Sequence, residues 1–173
     1  MLVLGVDPGT RHLGWGAIDV AGARLTHVDH GIVHADDGAP LGERLALLDD
    51  GLRAVIARLA PSEAGVESIF FSKDVSAAVK LAHARGVAVL ALQRAGVAIF
   101  EYAPASVKRS VAGKGAADKG QVARMVGAML RLRETPRADA ADALAIAITH
   151  AHAAPARRIA ALALVASGTR GRR

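Results

Sequence analysis

Residues 2–34 read LVLGVDPGTRHLGWGAIDVAGARLTHVDHGIVH, and three predicted strands lie within them. Leu2–Asp7 is a short apolar run that includes β-branched residues, and Pro8-Gly9 ends it. Two further runs, at residues 13–20 and 24–34, flank the short loop Ala21-Gly22-Ala23. Because short loops containing glycine connect hairpins, we predict an antiparallel meander of three strands.

The rest of the chain alternates helical periodicity with short apolar runs. Helices are predicted where apolar residues recur at three- and four-residue steps, at residues 41–59, 74–94, 106–112, 118–132 and 138–152. Two short runs, at residues 64–68 and 97–102, predict strands added by crossovers. Thr135-Pro136 is expected to cap the last helix. The order predicts an α/β fold with a mixed sheet flanked by helices.

The predicted helix at residues 74–94 has apolar residues around most of its circumference. Such a helix is buried on two sides. Its second side is covered either by the same chain or by another subunit, and the sequence alone leaves both alternatives open.

Composition predicts one globular domain, since 173 residues, 52% of them hydrophobic and 22% charged, suit a single core. The chain has no cysteine, which excludes disulfides, thiolate metal sites and cysteine nucleophiles. No apolar stretch reaches the roughly 18 residues that a membrane span needs, and the amino terminus lacks the pattern of a secretory signal. We therefore expect a cytoplasmic protein with no membrane segment.

Charge is distributed unevenly along the chain, whose net charge is +6. Acids outnumber bases in residues 1–72, whereas lysine and arginine dominate residues 73–133. Residues 157–173 contain arginine and no acid, which predicts a basic C-terminal tail, free to be disordered, after a folded domain at residues 1–156. A chain that binds cations in one place and a polyanion in another has this asymmetry, although a solvated helix face and tail would also produce it.

Four carboxylates lie where predicted elements begin or end. Asp7 closes the first strand, Glu67 closes the fourth, and Asp139 and Asp142 open the last helix. Each alone has an ordinary structural role in a turn or a first helical turn. Together they form an all-oxygen set that suits Mg²⁺ or Mn²⁺. Two such ions about 3.5–4 Å apart can clamp the attacking and leaving oxygens of phosphodiester hydrolysis.

These residues belong to three of five motifs that occur in order along the chain. They are VDPGTRHLGWG at 6–16, VESIF at 66–70, LAHARGV at 81–87, EYAPASVK at 101–108 and ADAADALAIA at 138–147. Together they resemble the RuvC family of bacterial Holliday-junction resolvases, over roughly residues 1–152.

The resemblance implies a ribonuclease-H-like fold, a homodimer and an enzyme. It implies two Mg²⁺ ions per active site, with Mn²⁺ as a substitute, held by Asp7, Glu67, Asp139 and Asp142. The implied reaction is symmetric nicking of two strands of like polarity in a four-way DNA junction during recombination and repair. The implied partners are junction DNA and the RuvA and RuvB branch-migration proteins.

Other family positions also carry over to this chain. Lys108 and Lys119 match lysines that hold scissile phosphates and stabilise charge near the metals. Phe70 matches an aromatic that stacks at the junction centre, although Phe71 beside it is an alternative. Lys114 is also expected to contact DNA, although a lysine in a loop is by default simply solvated.

The chain departs from the family pattern at a few positions. Thr10, Trp15 and Ser68 stand where relatives usually have serine, tyrosine or phenylalanine, and glutamine. Ser68 follows Glu67 and could alter the support of that carboxylate. The histidine pairs at residues 30 and 34 and at residues 150 and 152 are expected not to be metal ligands.

Three other functions share some of these sequence features. An actin-like ATPase or sugar kinase shares the sequence Asp7-Pro-Gly-Thr10 but needs a second, related domain. A YqgF-type nuclease is a closer rival, against which the paired Asp139 and Asp142 and the basic middle favour RuvC. A non-catalytic junction-binding protein needs the basic surface but not four acids, which repel phosphate.

Phe70→Ala is expected to lower junction cleavage more than it lowers binding to linear duplex, because stacking at the junction centre is not needed on a duplex. Nuclease assays and duplex-binding titrations on the same preparation measure the two losses. Equal losses would favour a core role for the ring instead.

Overall fold

The structure is a computed structural model that describes residues 1–68 and 75–168, with the backbone alone at residue 77 and residues 155–168. The strands are β1 Leu2–Asp7, β2 His12–Ala21, β3 Arg24–His34, β4 Glu63–Glu67 and β5 Ala98–Tyr102. The helices are α1 Leu41–Leu59, α2 Val75–Arg94, α3 Pro104–Ala112, α4 Lys119–Leu130 and α5 Ala138–Gly168.

The strands form one mixed sheet in the order β3-β2-β1-β4-β5. β1, β2 and β3 are antiparallel neighbours, which confirms the predicted meander. β4 pairs parallel with β1, and β5 pairs parallel with β4. The α/β prediction with a mixed sheet flanked by helices is therefore confirmed, and the carboxyl ends of β1, β4 and β5 lie at the same edge.

Two details of the last helix differ from the prediction. α5 begins at Ala138, so the cap predicted at Thr135-Pro136 is wrong; the Ala141 amide donates to the carbonyl of Arg137 instead, at 2.8 Å. The backbone of α5 also continues to Gly168, past the predicted helix end at residue 152. The sequence beyond residue 152 is rich in alanine, which favours helix, and arginine is also a good helix former.

The helices cover both faces of the sheet. One core contains Leu4 and Val6 of β1 together with Leu48 and Leu52 of α1 and Ala88 of α2. The other core contains side chains from α3, α4 and α5, together with Val3 of β1 and Ile18 of β2. Alternate residues of each strand therefore enter different cores, as the pleat requires.

α2 is buried on one side by its own chain. Ala84, Ala88 and Leu92 are buried against the first core. Val75 and Val79, by contrast, are 71% and 49% exposed. The second apolar side, which the sequence predicted to be covered, is open in the single chain.

α5 lies directly on a strip of glycines in β1 and β2. A Cβ added to Gly5 would stand 1.9 Å from the carbonyl oxygen of Ala143. One added to Gly14 would stand 2.0 Å from the carbonyl oxygen of Asp139. Real Cβ atoms do not approach backbone oxygens so closely, so only glycine lets the α5 backbone reach the sheet at these two positions.

The same helix keeps register with β4. Gly65 of β4 faces Ile146 of α5. Glu63, two residues earlier in β4, binds His150, four residues later in α5. Two residues along a strand advance about 6.6 Å and four along a helix about 6 Å, so alternate β4 residues meet every fourth residue of α5. This register places Glu67 opposite Asp142.

Within residues 1–68 and 75–168, no helix combines the length and apolar character that crossing a bilayer requires.

Gly5→Ala is expected to lower the free energy of unfolding by about 3 kcal/mol, because the added methyl group meets backbone that cannot rotate away. This value is at the upper end of the range for substitutions that overpack a core. Gly127→Ala is the matched control, since an added Cβ there meets nothing within 4 Å. The control should gain up to about 1 kcal/mol, as alanine replaces glycine inside a helix. Urea denaturation measures both, and equal stabilities of the two variants would contradict the close approach of α5.

Candidate active site

The four predicted carboxylates converge at one edge of the sheet. Val6 pairs with Val66 in the parallel β1–β4 ladder, so Asp7 and Glu67 end neighbouring strands side by side. Asp139 and Asp142 lie in the first turns of α5, which the contact with Gly14 brings down onto the same edge. Sequence positions 7, 67, 139 and 142 thus meet because the fold requires adjacent parallel strands and a seated helix.

Electrostatics show how closely the acids interact. Burial, reinforced first by Glu67 and then by Asp142, raises the pKa of Asp7 to about 8. Burial and the charge of Asp142 also raise the pKa of Glu67. The pKa of Asp142 is raised by burial, with Asp139 adding to the effect. The cluster therefore carries negative charge that the fold itself leaves undercompensated.

Two of the three predicted lysines act on this cluster. Lys119 Nζ lies 3.4 Å from Asp142 Oδ2, and that carboxylate raises the pKa of Lys119. Lys108 lies close enough to lower the pKa values of both Glu67 and Asp142, in opposition to their burial. Lys114 is exposed in the connection between α3 and α4.

Two contacts of the cluster escaped the sequence analysis. His12 Nδ1 lies 3.5 Å from Asp139 Oδ2, at the rim of the site. Arg85 of α2 donates from Nε to the main-chain carbonyl of Glu67 at 3.1 Å, and its Nη2 lies 2.6 Å from Glu101 Oε1. Arg85 therefore ties the end of β4 to β5 and α2. Its place in the 81–87 motif was the available signal, but a motif does not say which backbone atom an arginine binds.

The donor set fits divalent cations in its chemistry. Four carboxylates on three elements supply hard oxygen ligands only, the type that Mg²⁺ and Mn²⁺ prefer. Their raised pKa values mark a site that gains from added positive charge. Among the described residues, no three acidic or histidine side chains already surround one point.

Most of the remaining histidines form other hydrogen bonds, and the ring of His34 packs edge-on against that of His12. His27 Nε2 and His30 Nδ1 are 2.8 Å apart, and His152 Nδ1 lies 3.0 Å from Ser110 Oγ. The buried His150 bonds through its two nitrogens to Tyr102 and Glu63. Phe70 and Phe71 lie outside the described residues.

Comparison with known proteins places the chain in a family. Residues 3–150 match the family described as crossover junction endodeoxyribonuclease RuvC. A protein of that name from Sorangium cellulosum is 55% identical over 168 residues, which cover 97% of this chain and 92% of the relative. Another, from Chloroflexus aggregans, is 51% identical over 156 residues, covering 90% of this chain and 95% of that protein.

Solved structures agree with this match. RuvC of T. thermophilus, in complex with a Holliday junction substrate, superposes with a TM-score of 0.80 at 39% identity, covering 87% of this chain and 93% of the other. The yeast mitochondrial Holliday junction resolvase Ydc2 superposes with a TM-score of 0.59 at 13% identity, covering 86% of this chain and 78% of the other, and shares the fold. The predicted ribonuclease-H-like architecture is confirmed, and the chain belongs to the RuvC family of crossover junction endodeoxyribonucleases.

Proposed function

We propose that this chain resolves four-way DNA junctions by nicking two strands of like polarity at symmetric positions. The observation that carries the proposal is the convergence of Asp7, Glu67, Asp139 and Asp142 with two lysines, in a chain of this family. A non-catalytic junction-binding protein would have no use for four mutually repelling carboxylates. A YqgF-type nuclease is not favoured by the family match.

The four carboxylates would hold two Mg²⁺ ions, with Mn²⁺ as a substitute. When bound, such ions make water a nucleophile near neutral pH and stabilise the charge that develops on the scissile phosphate. Asp7 is the most buried of the acids and would bind an ion from the floor of the site, whereas Asp139 and Asp142, with side chains 31% and 26% exposed, would bind from its rim.

The lysines would act on the DNA. Lys119 is 70% exposed and stays protonated, because the surrounding acids raise its pKa. It can therefore exchange Asp142 for a phosphate oxygen when DNA arrives. Lys108 is close enough to lower the pKa values of Glu67 and Asp142, and would neutralise the same strand. Lys114, exposed between these helices, would contact the backbone further out.

A second copy of this chain would complete the enzyme. The open side of α2 presents Val75, Val79 and Leu90, and Leu47 of α1 is half exposed. Exposed apolar side chains along one helix face, as on α2, are typical of interfaces. A two-fold axis through α2 would give two identical sites, as symmetric nicking requires.

The setting of the reaction follows from its substrate. We place the protein in the cytoplasm, where chromosomal DNA is accessible, with the RuvA and RuvB branch-migration proteins as partners. The arginines within residues 157–173 would add non-specific affinity for DNA.

Incubation with a labelled mobile four-way junction and a matched linear duplex tests this function. We expect paired, symmetric nicks in the junction alone, with Mg²⁺ or Mn²⁺ and not with chelator. Ligase sealing of the products would show that the nicks are paired. Junction binding without cutting under either metal would refute the nuclease.

Asp7→Asn is expected to abolish cleavage and to leave junction binding measurable, because it removes a metal ligand and not a basic residue. It should also raise the melting temperature in chelator by roughly 2–8 °C, since about 1–2 kcal/mol of carboxylate repulsion disappears at roughly 2–4 °C per kcal/mol. Mg²⁺ should stabilise the unsubstituted protein and not the variant.

Asp50→Asn makes the same chemical change on the exposed surface of α1 and is the matched control. It should cut junctions and respond to Mg²⁺ as the unsubstituted protein does. An active Asp7→Asn protein, or one that Mg²⁺ still stabilises fully, would refute the assignment of Asp7 as a ligand.

A further inference from the structure

An open groove of about 1240 Å³ lies away from the acidic cluster, between the first half of β3 and the connection from α4 to α5. Four exposed arginines line it: Arg24, Arg131, Arg133 and Arg137. We call this feature the arginine groove. Glu134 is the one acid among its lining residues, so the groove is strongly positive.

Among the described arginines, some are paired with an acid and others, including these four, are not. Arg11, Arg44, Arg53, Arg58 and Arg85 each form an ion pair with an aspartate or glutamate. None of the four groove arginines forms one with any residue that the structure describes. Four guanidinium groups on one groove, none of them in an ion pair with a described carboxylate, can receive an anion from outside the chain.

The connection that carries three of the arginines is fixed in place. Arg131 ends α4 in the left-handed region, with φ 53°, a position that usually takes glycine. The Leu132 amide donates to the carbonyl of Gly127 at 2.9 Å, and Pro136 is buried. The guanidinium groups therefore project from an anchored segment, which lowers the entropic cost of binding.

The floor of the groove contains two histidines and apolar side chains. His27 and His30 are hydrogen-bonded to each other, and burial, with the neighbouring His30, lowers the pKa of His27. Leu25 and Met129 add apolar surface beside them. The arginines around this floor are of the kind that contacts the phosphates of a nucleic-acid backbone.

The position of the groove relates it to the catalytic edge. α4 begins with Lys119 beside Asp142 and ends where Arg131 enters the groove. Its 12 residues span about 18 Å at about 1.5 Å per residue. Duplex DNA rises about 3.4 Å per base pair, so this distance corresponds to about five base pairs. Arg124, exposed on the same helix, lines a depression next to the groove and continues the basic path.

We propose that the arginine groove binds the phosphate backbone of one duplex arm of the DNA substrate, about five base pairs from the nicked bond. The proposal rests on the proposed function, because it takes the acidic cluster as the place of cutting. It adds a phosphate-binding site that is separate from Lys108, Lys114 and Lys119. The polymeric anion, rather than a single phosphate, is favoured by the run of arginines along the groove and α4.

The test uses the double variant Arg131→Gln/Arg133→Gln in the full chain. Its control is Arg53→Gln/Arg58→Gln, which removes the same charge from two exposed arginines of α1 that already have acidic partners. Binding to a four-way junction is measured in chelator at several salt concentrations. We expect the groove variant to bind about tenfold more weakly at 0.1 M salt and to lose about two from the slope of log K against log salt. The control should change little.

Junctions with neutral methylphosphonate linkages at base pairs three to seven from the nick site locate the contact. They should weaken binding by the unsubstituted protein about as much as the arginine substitutions do, and should not weaken the groove variant further. Additive losses, or a groove variant that binds the unmodified junction as tightly as the unsubstituted protein does, would overturn the proposal. Loss of binding to poly-glutamate by the groove variant, with unchanged DNA binding, would overturn it in favour of an acidic protein partner.

A parallel Mg²⁺ assay separates the two levels of inference. If the unsubstituted protein does not cut junctions, the proposed function fails, whatever the groove binds. If it cuts and the groove variant binds junctions normally, only the arginine groove proposal fails.

Discussion

The contact between the α5 backbone and the glycines of β1 and β2 is the constraint on which the site depends. At Gly5 and Gly14 the helix lies so close that no side chain fits between the layers. Ala143 and Ala147 on the facing side of the helix keep the approach equally short. A bulkier residue in either layer would lift α5, and Asp139 and Asp142 would leave the edge where Asp7 and Glu67 end. The small residues at this contact therefore set the position of α5 as well as the packing between the helix and the sheet.

That geometry places charge where the fold alone does not neutralise it. The amino terminus of α5 offers the positive end of its dipole to Asp139 and Asp142, which offsets part of the repulsion. Lys119 and Lys108 offset another part. The pKa of Asp7 is nevertheless raised to about 8, which shows that the balance is incomplete. Local rules are broken at this edge of the sheet, as expected for the proposed binding of cations and phosphate, which takes precedence there over stability.

The sequence predicted those parts that depend on local pattern. Asp7 and Glu67 could be placed at strand ends because apolar runs stop beside them, and the spacing of Asp139 and Asp142 puts both on one helix face. α1 was predicted with its observed bounds because its apolar period is regular. The start of α5 at Ala138 was predicted, but the cap at Thr135-Pro136 was wrong because these residues have local cap chemistry that the tertiary structure does not use. Arg85 on the Glu67 carbonyl, and the meeting of Arg24 with the 131–137 connection, join residues far apart in sequence and needed the fold.

Mn²⁺ binding by two glycine variants tests most directly whether the seating of α5 creates the site. Gly14→Ala pushes against the backbone of Asp139, whereas Gly16→Ala pushes against the side chain of Leu144 further along the helix. Electron paramagnetic resonance of free Mn²⁺ gives the affinity of each, on protein whose circular dichroism shows a folded state. Gly14→Ala should bind Mn²⁺ about tenfold or more weakly, the loss expected when ligands are no longer positioned, and Gly16→Ala should lose stability with little loss of Mn²⁺ affinity. Unchanged Mn²⁺ affinity in folded Gly14→Ala would contradict the account.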